Sequence, residues 1–265
     1  MTRNTLAASA ALAVYVVIVP FLLRDAPYLL GVLATASILS FISLGVWLTF
    51  TIGRINIGQG AFALVGGYVT ATLTKTLGVS FWLALPASGL AAALLGTVIG
   101  WPILRLKGVY FAMLTLSLTE AARLAALNGG TLTEGATGIL NIPTPGPLRV
   151  LRAEIVPAFG ALNQHLAFYG LAAVILSAGL LGAYRIATCR LGWIFRSLQQ
   201  DEALAESTGI DVAKYRVMAF AIGCAYGGIG GAFFAVAQQS IYPSSFGVTD
   251  SVYFMLYCFF GGLSY

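Results

Sequence analysis

The side chains with chemistry to offer are few, and most of them share one stretch. Residues 193–211 read Trp-Ile-Phe-Arg-Ser-Leu-Gln-Gln-Asp-Glu-Ala-Leu-Ala-Glu-Ser-Thr-Gly-Ile-Asp, the most charge-rich segment of a chain that is only 9% charged. Asp201 is placed to N-cap a short helix, because its carboxylate can accept from the free amides of the first turn. Glu202 follows at the positive end of the helix dipole. Ala203, Leu204 and Ala205 are good helix formers, and Gly209 can take the left-handed conformation that stops the helix. The result has about two turns, whereas roughly 12–15 residues are needed for even marginal stability in water. It must therefore be held against something. Glu202 and Glu206, four apart, share a face that is free to meet a partner. A handle for another protein and an ordinary solvated loop helix both fit this spacing.

The remaining candidates mostly exclude chemistry. His165 is the one histidine, and Cys189, Cys224 and Cys258 show no metal or redox spacing. There is no Gly-x-x-x-x-Gly-Lys-Ser/Thr phosphate loop, so the chain does not hydrolyse ATP with its own residues. Glu120 and Arg123 lie three apart in an apolar run, where a charge is a functional-site candidate by default. Pairing with each other near the end of the run, where Arg can snorkel, is the stronger reading. Without clustered carboxylates or a nucleophile motif, a membrane-embedded enzyme ranks last.

The elements that must position these residues are membrane spans. A soluble domain carries about 25% charged residues; this chain is 59% hydrophobic and reads as an integral membrane protein. Its net charge of +5 comes from scattered basic residues beside apolar runs, as orientation signals do, and not from a nucleic-acid footprint. Spans are expected at 5–23, 28–51, 79–101, 109–127, 165–184 and 214–240. A third apolar segment runs to Leu77, and a short last run covers 250–265. A signal peptide is the alternative for 5–23, with an uncleaved helix preferred. Residues 128–164, rich in Gly and Pro, predict an ordered external loop. The last run is short for a crossing, which suggests that the sequence is a fragment of a longer chain.

Two glycine patterns stand out. Gly53-Arg54-Ile55-Asn56-Ile57-Gly58-Gln59-Gly60 interrupts the third segment, and irregular backbone at membrane depth needs protein or a wet cavity around it. Its start is either a half-helix whose amides face a polar pathway or a plain turn whose glycines permit tight packing. Gly96 and Gly100, and Gly223, Gly227 and Gly231, recur at four-residue spacing as stripes for close helix neighbours. Placing 185–216 inside puts nine of the fourteen basic residues there (Arg3, Arg54, Arg105, Lys107, Arg185, Arg190, Arg196, Lys214 and Arg216). The N-terminus is then also inside, and loop 128–164 outside.

Several blocks in order resemble a known family. Arg196-Ser-Leu-Gln-Gln-Asp201-Glu202-Ala203-Leu204-Ala205-Glu206-Ser-Thr-Gly209-Ile210, with Tyr215 and Met218-Ala219-Phe220, resembles the cytoplasmic loop of branched-chain amino acid ABC importer permeases, the LivM-type inner-membrane subunit above all. Asn56-Ile57-Gly58-Gln59-Gly60-Ala61-Phe62 with Gly66-Gly67-Tyr68, the run Gly108–Leu116 with Glu120 and Arg123, and Gly261-Gly262-Leu263 are similar to it too. Gln199 and Gln200 stand where charged residues are common, and Gln59 where histidine is.

The resemblance implies an all-α, polytopic transmembrane bundle of the type II-like importer kind. It would have about eight membrane segments, a glycine-interrupted central helix and one permease domain over 1–265. It implies a bacterial inner-membrane protein that carries branched-chain amino acids or a related small polar solute such as urea or an amide. Its partners would be membrane lipid, a second homologous permease, two cytoplasmic ATPases that bind ATP and Mg, and a periplasmic binding protein; the chain itself would hold no cofactor. Arg196, Asp201, Glu202, Ala203, Ala205, Glu206 and Gly209 would couple to the ATPases. Asn56, Gly58, Gln59, Gly60 and Thr115 would line the path. An ion-coupled secondary transporter is the competing reading; it would need coupling-ion ligands at the midplane, and no mid-span carboxylate is evident.

Overall fold

The computed structural model describes residues 14–22, 26–146, 148–150, 153–156 and 164–262. A π-helical turn, Val14–Ile18, runs into α1 (Val19–Leu22). The rest of the expected first span lies outside the described residues, as do Arg3, Arg24, Arg152 and Leu263. The long helices are α2 (Pro27–Phe50), α3 (Gln59–Lys75), α4 (Phe81–Ile103), α5 (Val109–Asn128), α6 (Gln164–Thr188) and α9 (Val212–Ala237). Between α6 and α9 come α7 (Arg190–Gln200) and α8 (Glu202–Ser207), and α10 (Val248–Gly261) follows.

Among the described residues five helices, α2, α4, α5, α6 and α9, are long and apolar enough to cross a membrane. Helix α3 has 17 residues and α10 has 14. At 1.5 Å per residue these span about 26 Å and about 21 Å, less than the roughly 30 Å hydrocarbon core. The protein is an all-α, multi-pass membrane protein. The polar stretch expected at 185–213 is mostly helical: α6 runs on to Thr188, and α7 buries Gly192, Phe195 and Leu198 on one side. Its apolar residues recur every three to four positions, which is the stripe of a helix lying on a surface. Helix α4 ends at Ile103 and not at Trp101, with Pro102 in its last turn. The Gly/Pro-rich loop is pinned to the end of α9 by a short antiparallel pair, β1 (Ile139–Leu140) on β4 (Ser240–Ile241). Strands β2 (Leu148–Val150) and β3 (Ala153–Val156) form a second pair within it.

Helix α9 is the centre, packed on α2, α3 and α4. Its glycines serve three neighbours and not one. A Cβ on Gly223 would lie 2.7 Å from the Gly45 carbonyl oxygen of α2, and one on Gly227 would lie 2.9 Å from Gln59 Nε2 of α3. Gly231 faces the Ala63 carbonyl of α3, Gly228 faces Ala92 and the Ser88 carbonyl of α4, and Gly230 faces Ile42 of α2. Gly96 and Gly100 of α4 sit against Cys224 and Phe220 of α9, where a Cβ would come within 2.6 Å and 2.7 Å. Lipid tails are as apolar as leucine, so close van der Waals approach replaces hydrophobic drive as the source of helix association.

The same substitution should therefore have opposite outcomes at two glycines. Gly231→Ala meets backbone that cannot yield, and overpacking of this kind costs about 1–3 kcal/mol. Gly31→Ala on α2 has nothing within 4 Å of its new methyl, and should be neutral or stabilising by up to about 1 kcal/mol. Thermal unfolding of the detergent-solubilised chain checks both.

Candidate functional site

Helix α8 forms for the local reasons written in its residues. The Asp201 Oδ1 accepts from the amides of Ala203 at 2.9 Å and Leu204 at 3.1 Å. Gly209 adopts φ +83°, the left-handed conformation in which glycine has no steric penalty, and its amide bonds the Glu206 carbonyl. Ala205 is buried against the bundle, while Ala203, Leu204, Glu206 and Ser207 are exposed. Leu204, a large apolar side chain, is 65% exposed.

Glu202 is turned the other way. Its Oε1 takes the Arg54 Nη2 at 3.0 Å and also contacts Arg216, and its Oε2 takes the Lys107 Nζ at 2.8 Å. Arg54 and Arg216 are 5% and 8% exposed, so the carboxylate meets two buried guanidiniums at once. Burial alone would raise the pKa of Glu202. The hydrogen bonds from Lys107 and Arg216 and the charges of Arg216 and Arg54 outweigh it and hold the value down to about 2. Burial, and then the charge of Arg216, hold Arg54 below its ordinary value. The expectation that Glu202 and Glu206 are both free to meet a partner is corrected for one of them: both line the cavity described next and Glu206 is exposed, but Glu202, 26% exposed, is already held by three cations. Sequence reasoning missed Arg54, Lys107 and Arg216 as its partners. The signal was available, because span alternation places all three on the side that carries 201–209.

An open cavity of about 570 Å³ lies beside α8, lined by Trp101, Leu104, Arg105, Lys107, Glu206, Asp211 and Arg216 among others. A second, of about 610 Å³, is lined by Trp47, Phe50, Phe195, Arg196, Gln199 and Gln200. The Arg196 guanidinium carbon lies 5.4 Å from the centroid of the Trp193 ring.

The glycine break at 53–60 is a true helix start. Gly58 is the N-cap of α3, and the orphan amides are met from three sides. The Asn56 Oδ1 accepts from Gly58 N at 2.8 Å, Thr115 Oγ1 of α5 accepts from Ile57 N at 3.2 Å, and Ser251 Oγ of α10 accepts from Gly60 N at 3.1 Å. The Gln59 Nε2 donates to the Gly223 carbonyl at 2.8 Å and to the Ile42 carbonyl at 3.3 Å, and its Oε1 accepts from Asn56 at 3.1 Å. Asn56, Gln59 and Thr115 are all 0% exposed. Asn56, Gly58, Gln59, Gly60 and Thr115, the residues expected to line the path, form a hydrogen-bonded clip between helices, and their polar groups answer one another. Glu120 and Arg123 pair with each other, the Nε of Arg123 lying 3.0 Å and 3.1 Å from the two carboxylate oxygens.

Comparison with known proteins adds the following. The family model described as branched-chain amino acid transport system / permease component matches residues 28–265. The chain is 31% identical over 240 residues to the high-affinity branched-chain amino acid transport system permease protein LivM of Escherichia coli (strain K12), across 84% of this chain and 56% of that protein. It is 25% identical over 223 residues to the probable branched-chain amino acid transport permease protein LivH of Methanocaldococcus jannaschii, across 80% of this chain and 66% of that one. The chain thus spans about half the length of the LivM proteins it matches, 56% in each of two. No solved structure matches it.

Glu202→Gln should loosen α8, because removing one partner of a buried ion pair leaves uncompensated charge at a cost of about 3–5 kcal/mol. Amides 203–207 are expected to exchange with deuterium at least tenfold faster, with α9 unchanged. The depressed carboxylate stabilises the fold above its unfolded pKa near 4.5 and loses that contribution as pH falls towards about 2. The melting-temperature gap between the native chain and Glu202→Gln should therefore be full at pH 5 and above and shrink as pH drops below 4.5.

Proposed function

The chain belongs to the branched-chain amino acid transport system permease family, and from that premise we propose that it is one membrane subunit of an ATP-driven importer. Its cargo is a branched-chain amino acid or a related small polar solute such as urea or an amide. Two separate ATPase subunits, which bind ATP and Mg, drive it; a second homologous permease completes the membrane part, and a periplasmic protein delivers the solute. It resides in the bacterial inner membrane with its N-terminus in the cytoplasm. The end of the bundle that carries Arg54, Arg105, Lys107, Arg190, Arg196, Lys214 and Arg216 is the cytoplasmic one, following the positive-inside tendency.

One observation carries the reading: α8, a capped helix of six residues whose outer side presents Leu204 and Glu206. An exposed leucine beside a carboxylate, on a helix already fixed to the bundle, suits insertion into a groove on another protein. The ATPases dock there in this reading, with Arg196, Asp201, Ala203, Ala205 and Gly209 shaping the segment. The competing ion-coupled transporter gains no support from Glu120, which Arg123 already holds.

Leu204→Asp with Glu206→Arg should release the ATPases while the chain still folds, since neither side chain is buried. Co-purification from membranes that also express the neighbouring ATPase and permease reading frames checks this. Retention of the ATPases at native proportion by the double variant would overturn the docking assignment.

A further inference from the structure

A helix of six residues transmits load only through whatever fastens it. Glu202 sits at the first position of α8, next to the Asp201 cap. Its three partners belong to two connections and one helix. Arg54 lies in the segment joining α2 to α3, Lys107 in the turn joining α4 to α5, and Arg216 in the first turns of α9. These are the helices that the glycine contacts lock together: Gly45 with Gly223, Gly231 with Ala63, and Gly96 with Cys224. The other inward residue of α8, Ala205, makes apolar contact only, which resists being pushed in but offers no lateral grip.

We infer that Glu202 is the positioning residue through which a displacement of α8 reaches the membrane bundle, and that it acts by tying the helix to two connections and to α9 at once and not by touching the ATPase. The inference rests on the importer reading above. Charge-assisted bonds arriving from several directions fix both position and direction. A neutral amide keeps the shape of the side chain and one acceptor oxygen. It loses the charge that holds Arg54 and Arg216 together and cannot restrain the helix laterally. The outward side chains of α8, Leu204 and Glu206, are unchanged and available for docking even where the helix is less firmly held.

The test uses the whole assembly in proteoliposomes, with the ATPases, a second permease and a binding protein co-expressed with this chain, and leucine as the solute. Glu202→Gln should keep the ATPases in native proportion through purification, whereas Leu204→Asp with Glu206→Arg should not. Leucine-stimulated ATP hydrolysis and leucine uptake should fall at least tenfold in Glu202→Gln, with the half-saturating ATP concentration unchanged. Glu202→Asp, which keeps the charge, should recover at least half of the rate. Uptake by Glu202→Gln within twofold of the native assembly overturns the inference. So does loss of the ATPases as complete as in the double variant, since Glu202 would then be a docking residue. A native assembly that retains no ATPase, or that leucine does not stimulate, overturns the importer reading and this inference with it.

Discussion

Backbone contact around α9 is the constraint on which the rest of the structure depends. With lipid outside, no helix gains by hiding leucines from water, and association has to come from how closely chains can approach. Gly66 of α3 lies directly against Gly228 of α9, and Gly231 against the Ala63 carbonyl. At such contacts a methyl group is already too large. The helices so joined have little freedom to slide or tilt singly, because each glycine contact is a fixed point with backbone on both sides. A block of α2, α3, α4 and α9 follows, and α5, α6 and α10 pack around it.

That block creates a second problem, which its polar side chains solve. Helix α3 begins inside the protein, and a helix start leaves orphan amides that hydrocarbon cannot satisfy. Thr115 reaches it from α5 and Ser251 from α10, so two peripheral helices are tied to the central one by its own unmet donors. Thr119 and Ser251 extend the same link, their hydroxyls 3.2 Å apart. Gln59 bridges carbonyls of α2 and α9 where their backbones come closest. Polar residues at membrane depth thus serve as joints, and their type alone does not distinguish a joint from a path wall.

This marks the limit of what sequence could disclose. The spans, the break before Gln59, the Asp201 cap and the Gly209 stop were legible, because each depends on local chemistry: hydropathy over a span length, an acceptor at a helix start, a left-handed glycine. Stripe glycines were legible as contacts but not as contacts with three different helices, since direction around α9 is settled by the whole packing. Helix α7 was hidden because its polar composition masked the spacing of Gly192, Phe195 and Leu198. The pairing of Glu202 was hidden for a different reason: a carboxylate that shares a face with another looks free until the cations that hold it are located. Those cations are 148 and 95 residues upstream and 14 downstream in the chain, at Arg54, Lys107 and Arg216.

Once Glu202 is drawn inward, the helical period leaves little choice for the remainder of α8. Ala205, three residues on, turns in with it, Leu204 lies opposite and stands out, and Glu206, four residues on, keeps to the side of Glu202 at its exposed edge. The usual arrangement is inverted, with a charge inside and a leucine in the open. The charge is stable there because two buried arginines and a lysine stabilise it more than water would. The leucine is covered by its own chain over only the smaller part of its surface. The inversion is therefore one feature with two sides. The inner side fixes a short helix that could not persist alone, and the outer side leaves Leu204 in the open, where the proposed docking would cover it.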